Sequence, residues 1–184
     1  MKDKPPPNRR KFAGEGDEIN YLYDKLLYWL YRRADRRKAR PYARRLERLL
    51  PRAFPGHDAI FGEECWSLVH ETKGDLRRAI EHRENELRLI GRLYEISLDK
   101  PYEEAALKEY GYDDWSDRLD LLAVLYHDRG NLGKAITTLK KSKKLCEAHG
   151  TAFDGEDLLQ EYVTEKRKSQ QGAKHRVRPS TNKT

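Results

Sequence analysis

Trp66-Ser67-Leu68-Val69-His70-Glu71-Thr72-Lys73-Gly74-Asp75-Leu76-Arg77-Arg78-Ala79-Ile80 and Leu122-Ala123-Val124-Leu125-Tyr126-His127-Asp128-Arg129-Gly130-Asn131-Leu132-Gly133-Lys134-Ala135-Ile136 are two versions of one pattern. Each runs from a large residue to a small one, then to a ring three positions on. Gly follows four later, then Asp or Asn with Leu, then Ala-Ile. The small Ser67 or Ala123 lets a neighbouring helix come close, and the ring of His70 or Tyr126 fills the wedge between antiparallel helices. Gly74 or Gly130 makes the tight turn.

Outward from these turns, apolar residues recur at spacings of three and four and strand signals are scarce. The body therefore reads as all-helical, with about eight helices. The first is expected from Asp17 to Arg37 and the second from Pro41 to Pro51, because proline disfavours helical geometry in the residue before it. The third covers Asp58 to Thr72 and the fourth Leu76 to Ile96. A short fifth runs from Pro101 to Gly111, followed by Asp114 to Arg129, Leu132 to His149 and Gly155 to Arg167. The organisation expected is a flexible basic leader over 1–16, an N-terminal hairpin over 17–56 and a helical repeat domain over 57–164. A basic, disordered tail over 165–184 completes it.

The repeated pattern resembles the tetratricopeptide repeat (TPR) family, whose signature is a large residue, a Leu-Gly-like pair, a Tyr, a Gly-Asp/Asn turn and a following Ala. The second copy is the closer match, through Leu122, Ala123, Tyr126, Gly130, Leu132, Ala135, Leu139 and Ser142, and the best match spans 116–149. The first departs from the family at Arg83, where an aromatic or Leu is usual, and at Glu86, where Ala is preferred. Gly74 and Gly130 lie 56 residues apart, against about 34 for contiguous repeats. The resemblance implies antiparallel hairpins stacked as a right-handed α-solenoid, and a non-catalytic scaffold for protein–protein interaction.

It also implies that the first helix of each pair faces a concave groove. The groove residues are then Phe61, Glu64, Leu68 and Glu71 from the first copy, with Asp117, Asp120, Leu121, Val124, His127 and Asp128 from the second. Members that clamp a terminal carboxylate place Lys, Arg and Asn there, whereas this chain has Glu64, Asp117 and Asp120. The implied partner is another protein, offering a basic or amphipathic segment. An ordinary solvated helix face explains the same acids equally well, and self-association through the chain's own basic tail is a further form of the reading.

The formal net charge of +7 is unevenly spread. Residues 1–12 carry +4, 165–184 carry +6 and 32–52 carry +8, while 53–164 sum to −8. The central block, Arg32, Arg33, Arg36, Arg37, Lys38, Arg40, Arg44, Arg45 and Arg48 with Arg52, lies near Tyr28, Trp29, Tyr31 and Tyr42. Arginine suits bidentate phosphate contacts and the rings suit base stacking, so the block is the candidate nucleic-acid contact and, with the tail, the alternative function. The plainer account is a cationic helix end that complements the helix dipole and pairs with the acidic body. Direct binding to an acidic protein is a third.

Catalytic and metal signatures are absent from the sequence. His70-Glu71 lacks the second His of a zinc helix, Cys65 and Cys146 form no ribbon, and no phosphate loop, dinucleotide fingerprint or serine elbow occurs. No enzyme activity, cofactor or metal is expected. Apolar runs are far shorter than a membrane span requires. The N-terminus has no apolar stretch behind its basic residues, and only two cysteines are present. A cytoplasmic protein with two unpaired thiols is the expectation.

Overall fold

The computed structural model describes residues 11–56, 59–93 and 112–176. Among the described residues it is all-helical and contains no strand. Helix α1, Glu15–Leu27, passes directly into a π-helical turn over Tyr28–Arg32. Then come α2, Arg36–Ala53; α3, Ile60–Lys73; α4, Leu76–Leu93; α5, Tyr112–Asp128; α6, Leu132–His149; and α7, Glu156–Arg176. The helix expected from Pro101 to Gly111 lies outside the described residues, as do positions 1–10 of the leader. The chain divides into two compact units, residues 1–97 and 98–184, so the repeat domain expected over 57–164 spans parts of both.

Three boundaries differ most from the sequence expectation. The first helix does not continue to Arg37. The peptide N–H of Arg33 donates to the carbonyl of Tyr28 at 3.1 Å, an i→i−5 bond, and Ala34 then takes a left-handed φ of 48° that turns the chain. Helix α2 starts five residues before Pro41, because the Asp35 carboxylate caps it by accepting from the Lys38 N–H at 3.0 Å. Pro41 is exposed and Pro51 is followed by only two more helical residues, so neither breaks the buried face made by Ala39, Ala43, Leu46 and Leu50. At the other end, α7 runs on to Arg176, so part of the tail expected to be disordered is helical.

The first unit is built around α3, which is buried on nearly every side from Gly62 to Thr72. Its Leu68 and Val69 join Leu22 and Leu26 of α1 and Leu46 and Leu50 of α2 in one core, and Ala79, Ile80 and Ile90 of α4 are buried as well. In the second unit Leu122, Leu125 and Tyr126 of α5, Ala135, Ile136 and Leu139 of α6, and Leu159 and Tyr162 of α7 are buried.

The two turns placed in register by the sequence are the same object. Gly74 and Gly130 have φ of 82° and 80°, a conformation that costs a residue with a Cβ. The Gly74 N–H donates to the Glu71 carbonyl at 2.9 Å and the Asp75 N–H to that of His70 at 2.9 Å. Gly130 donates to His127 at 2.7 Å and Asn131 to Tyr126 at 2.8 Å. Each is a Schellman closure that satisfies two terminal carbonyls. Asp75 and Asn131 then cap the next helix by accepting from the N–H of Arg78 and Lys134, at 3.2 Å in both. His70 and Tyr126 occupy the wedge alike, each 6% exposed.

Candidate binding surfaces

A helix buried all round must satisfy its own polar side chains internally. Along α3, Ser67 donates to the Ala79 carbonyl at 2.9 Å and Thr72 to that of Leu68 at 2.8 Å. Glu63 meets the His82 ring at 2.6 Å. Glu64 accepts from the Tyr23 hydroxyl at 2.7 Å, and Glu71 from the Tyr31 hydroxyl at 2.6 Å.

This geometry corrects the first half of the expected groove. Glu64 and Glu71 are 7% and 5% exposed and Leu68 is fully buried. Phe61 is half-buried, its ring 5.1 Å from that of Tyr23 and 6.0 Å from that of Phe54. The first helical segment therefore covers the face that was expected to be open. Tyr23 and Tyr31 are eight residues apart, which in an uninterrupted α-helix would put them about 80° out of line. The π-turn adds one residue to the winding, so the separation acts as about seven and the offset falls to roughly 20°. Glu64 and Glu71 are themselves seven apart. The π-turn thus matches the two phenols to the two acids, and burial beside Glu64 and Glu71 pushes both phenol pKa values up.

Behind these acids lies Arg83 of α4, fully buried. Its guanidinium pairs with Glu86 and lies 3.6 Å from Glu64. Burial opposes its charge, but Glu86 and Glu64 more than offset this and hold its pKa above the usual arginine range. The repeat register, an offset of 56, makes Glu64, Arg83 and Glu86 the counterparts of Asp120, Leu139 and Ser142. The departures from the family pattern are thus two halves of one ion pair, read onto a buried acid.

The second copy has the acid and no arginine. Burial, with Asp117 and Asp154 nearby, pushes the Asp120 carboxyl up to about 6, and a hydrogen bond from Ser142 only partly opposes this. Oδ1 of Asp120 is buried with no hydrogen-bond partner, and Oδ2 faces Gly155, where an added Cβ would stand 2.8 Å away. His127 stacks on Tyr162 at 4.2 Å and meets Glu165 at 2.8 Å, so α7 covers it. Asp120 and His127 therefore face inward. Asp117 and Asp128 are exposed, and Leu121 and Val124 are half-buried. Spaced at i, i+4, i+7 and i+11, these four form one stripe along α5.

His70 stacks on Trp66 and His82, with centroids 5.8 and 5.2 Å apart. Burial, then His82, lower its pKa below 6.5. The unfolded chain therefore binds the proton more readily. This contribution to stability is complete above pH 6.5 and fades as pH falls below it. His70→Tyr, which imports the ring of the second copy, is expected to flatten the loss of unfolding midpoint between about pH 6.5 and 5. An unchanged acid slope in a thermal melt series would refute this.

All members of the arginine block are exposed. Some are engaged: Arg45 pairs with Glu18 at 2.7 Å, Lys38 lies 4.8 Å over the Trp29 ring, and Arg33 lies 5.7 Å from Tyr28. The rings expected to stack on bases are thus used within the unit, and Tyr42 likewise faces Lys25 at 5.8 Å. Among the described residues, no group of three His, Cys, Asp or Glu is placed to hold a metal, and no helix is long and apolar enough to cross a membrane. Both Cys65 and Cys146 are buried and unpaired. No family model, curated protein or solved structure matches the chain.

Proposed function

We propose that the chain is a non-catalytic, TPR-like adaptor whose receiving surface is the exposed stripe of α5 and whose partner is a basic or amphipathic segment of another protein. The observation that carries this reading is the order along that stripe: Asp117, Leu121, Val124 and Asp128 place an acid at each end and two partly exposed apolar side chains between. A basic amphipathic helix has the complementary order. The identical closures at Gly74 and Gly130 support the likeness of each hairpin to one repeated helical motif, and two buried unpaired thiols suit a reducing compartment such as the cytoplasm.

The test uses a labelled Leu/Lys amphipathic peptide and fluorescence anisotropy on the full chain. Asp117→Lys with Asp128→Lys is expected to weaken binding by about tenfold or more, a change of roughly 1.4 kcal/mol. Undiminished binding by this double variant overturns the assignment. Sedimentation of the free protein distinguishes a second copy as the occupant, since self-association would then fall in the same variant.

A further inference from the structure

We propose a second, independent binding site: the exposed face of α2 docks the phosphate backbone of duplex nucleic acid. Arg37, Arg40, Arg44 and Arg48 fall at i, i+3, i+7 and i+11, so α2 sorts them into one stripe. The stripe is about 16 Å long, a length over which a duplex presents roughly nine phosphate charges. All four are exposed, and none has an ion pair or side-chain hydrogen bond among the described residues. The one acid within α2, Glu47, is held by Lys73 at 2.6 Å.

The fold makes no ion pair with the four stripe arginines among the described residues. Arg37 lies in the first turn of α2, where the Asp35 carboxylate is taken by the Lys38 N–H at 3.0 Å and lies 3.7 Å from the Lys38 ammonium, and the positive end of the helix dipole disfavours a further cation. The cationic-helix-end account requires the opposite placement. It holds for Arg32 at the end of the π-turn and for Arg52 in the last turn of α2, and fails for the larger part of the block. The stripe of Arg37, Arg40, Arg44 and Arg48, with no ion pair among the described residues, is left to take its countercharge from a ligand.

Three features favour nucleic acid over an acidic protein segment. Nine of the ten cations at 32–52 are arginine, which makes bidentate contacts to phosphate. Arg40 and Arg44 line a depression of about 220 Å³ between α2 and the last turn of α3, where Lys73 is already paired with Glu47, so two arginines converge on a space large enough for a phosphate group. Protein interfaces also need apolar anchors. Tyr31 is the one exposed large hydrophobic residue among those described, and its hydroxyl is held by Glu71. Phosphate backbone contacts need none. Because Trp29, Tyr28 and Tyr42 serve the fold, no stacking platform remains for unpaired bases, and the duplex is the form that fits.

The experiment is fluorescence anisotropy with the full chain and labelled duplexes of about 20 base pairs, DNA and RNA of one mixed sequence, between about 50 and 200 mM salt. Arg40→Gln/Arg44→Gln/Arg48→Gln is compared with the charge-matched Lys166→Gln/Arg167→Gln/Lys168→Gln. The α2 variant is expected to lose about tenfold or more in affinity at low salt, with a log–log salt slope shallower by about 2.7, three contacts at ~0.9 each. The tail variant should change much less. Equal losses in the two variants would show that net charge alone attracts the duplex and would overturn the site. So would an absence of duplex binding at low salt, or preferential binding of polyglutamate through the same arginines. The α5 assignment is tested on different residues with a different ligand, so either reading can fail alone.

Discussion

Arg83→Leu should destabilise the first unit by roughly 3–5 kcal/mol, because it strands Glu86 in a dry interior and removes the cation beside Glu64. Against a stability of about 5–15 kcal/mol for a domain, this is a large fraction of the total and should lower the unfolding midpoint markedly. Arg83→Leu/Glu86→Ser should be much less damaged. The second hairpin already carries Leu139 and Ser142 at these positions, and the double variant removes both buried charges of α4 together, while Glu64 keeps its bond from Tyr23. A double-mutant cycle by urea unfolding is expected to give a coupling of about 2 kcal/mol or more, within the range for directly interacting residues. Additive losses would mean that Glu86 does not need Arg83, and the ion pair would lose its structural role.

Asp120→Asn should have the opposite sign. The folded-state pKa of about 6 lies above the ordinary 3.8, so the native state holds this proton to higher pH than the unfolded chain does. Stability from this site is therefore greatest below pH 3.8 and is lost as pH rises through about 6. At neutral pH the ionised carboxylate is a net cost. Its removal should stabilise the second unit by ~1–2 kcal/mol, once solvent screening of a partly exposed group is allowed for. The gain should vanish near pH 4, and the unfolding transition of the first unit should not move. A variant no more stable than the parent at pH 8 would show that solvent or the Ser142 hydroxyl already compensates Asp120.

These two substitutions concern the same buried acid of the repeat, Glu64 with its cation Arg83 in the first copy and Asp120 without one in the second, and they show where the sequence was legible. The register between Gly74 and Gly130 could be read because a glycine turn, a capping Asp or Asn and an apolar period are local signals. Seven of the helices expected from that period are present among the described residues. Helix α6 keeps its expected limits, Leu132 to His149. Arg83 carried a signal that resemblance to a family obscured. It stands in the apolar stripe of α4 with Ala79, Ile80, Leu87 and Ile90, and a charge there demands a partner. Glu86, three residues away, is that partner.

The acids were harder. Glu64 and Glu71 look the same in sequence whether they rim a groove or meet Tyr23 and Tyr31 from some forty residues earlier. Only packing distinguishes these cases. Their partners were hidden further by the aromatic residues between Tyr21 and Tyr31, which surround the helix and conceal the change of winding at Tyr28. On α2, Pro41 drew attention away from Asp35, whose cap decides that the arginines sit at the start of a helix and not at its end.

The π-turn has a consequence for length. Because five residues fill a turn that four would otherwise make, the first segment measures its two tyrosines against α3 by chain count as well as by residue type. Deleting Trp29 or Leu30 would leave Tyr23 and the second phenol seven residues apart in ordinary winding, so both contacts to Glu64 and Glu71 should survive without the π-turn. Straightening the turn with no residue removed would instead swing Tyr31 about 80° out of line with Tyr23 and away from Glu71. Chain length and winding therefore compensate each other here, and a homologous chain one residue shorter would make the same two contacts from an unbroken helix.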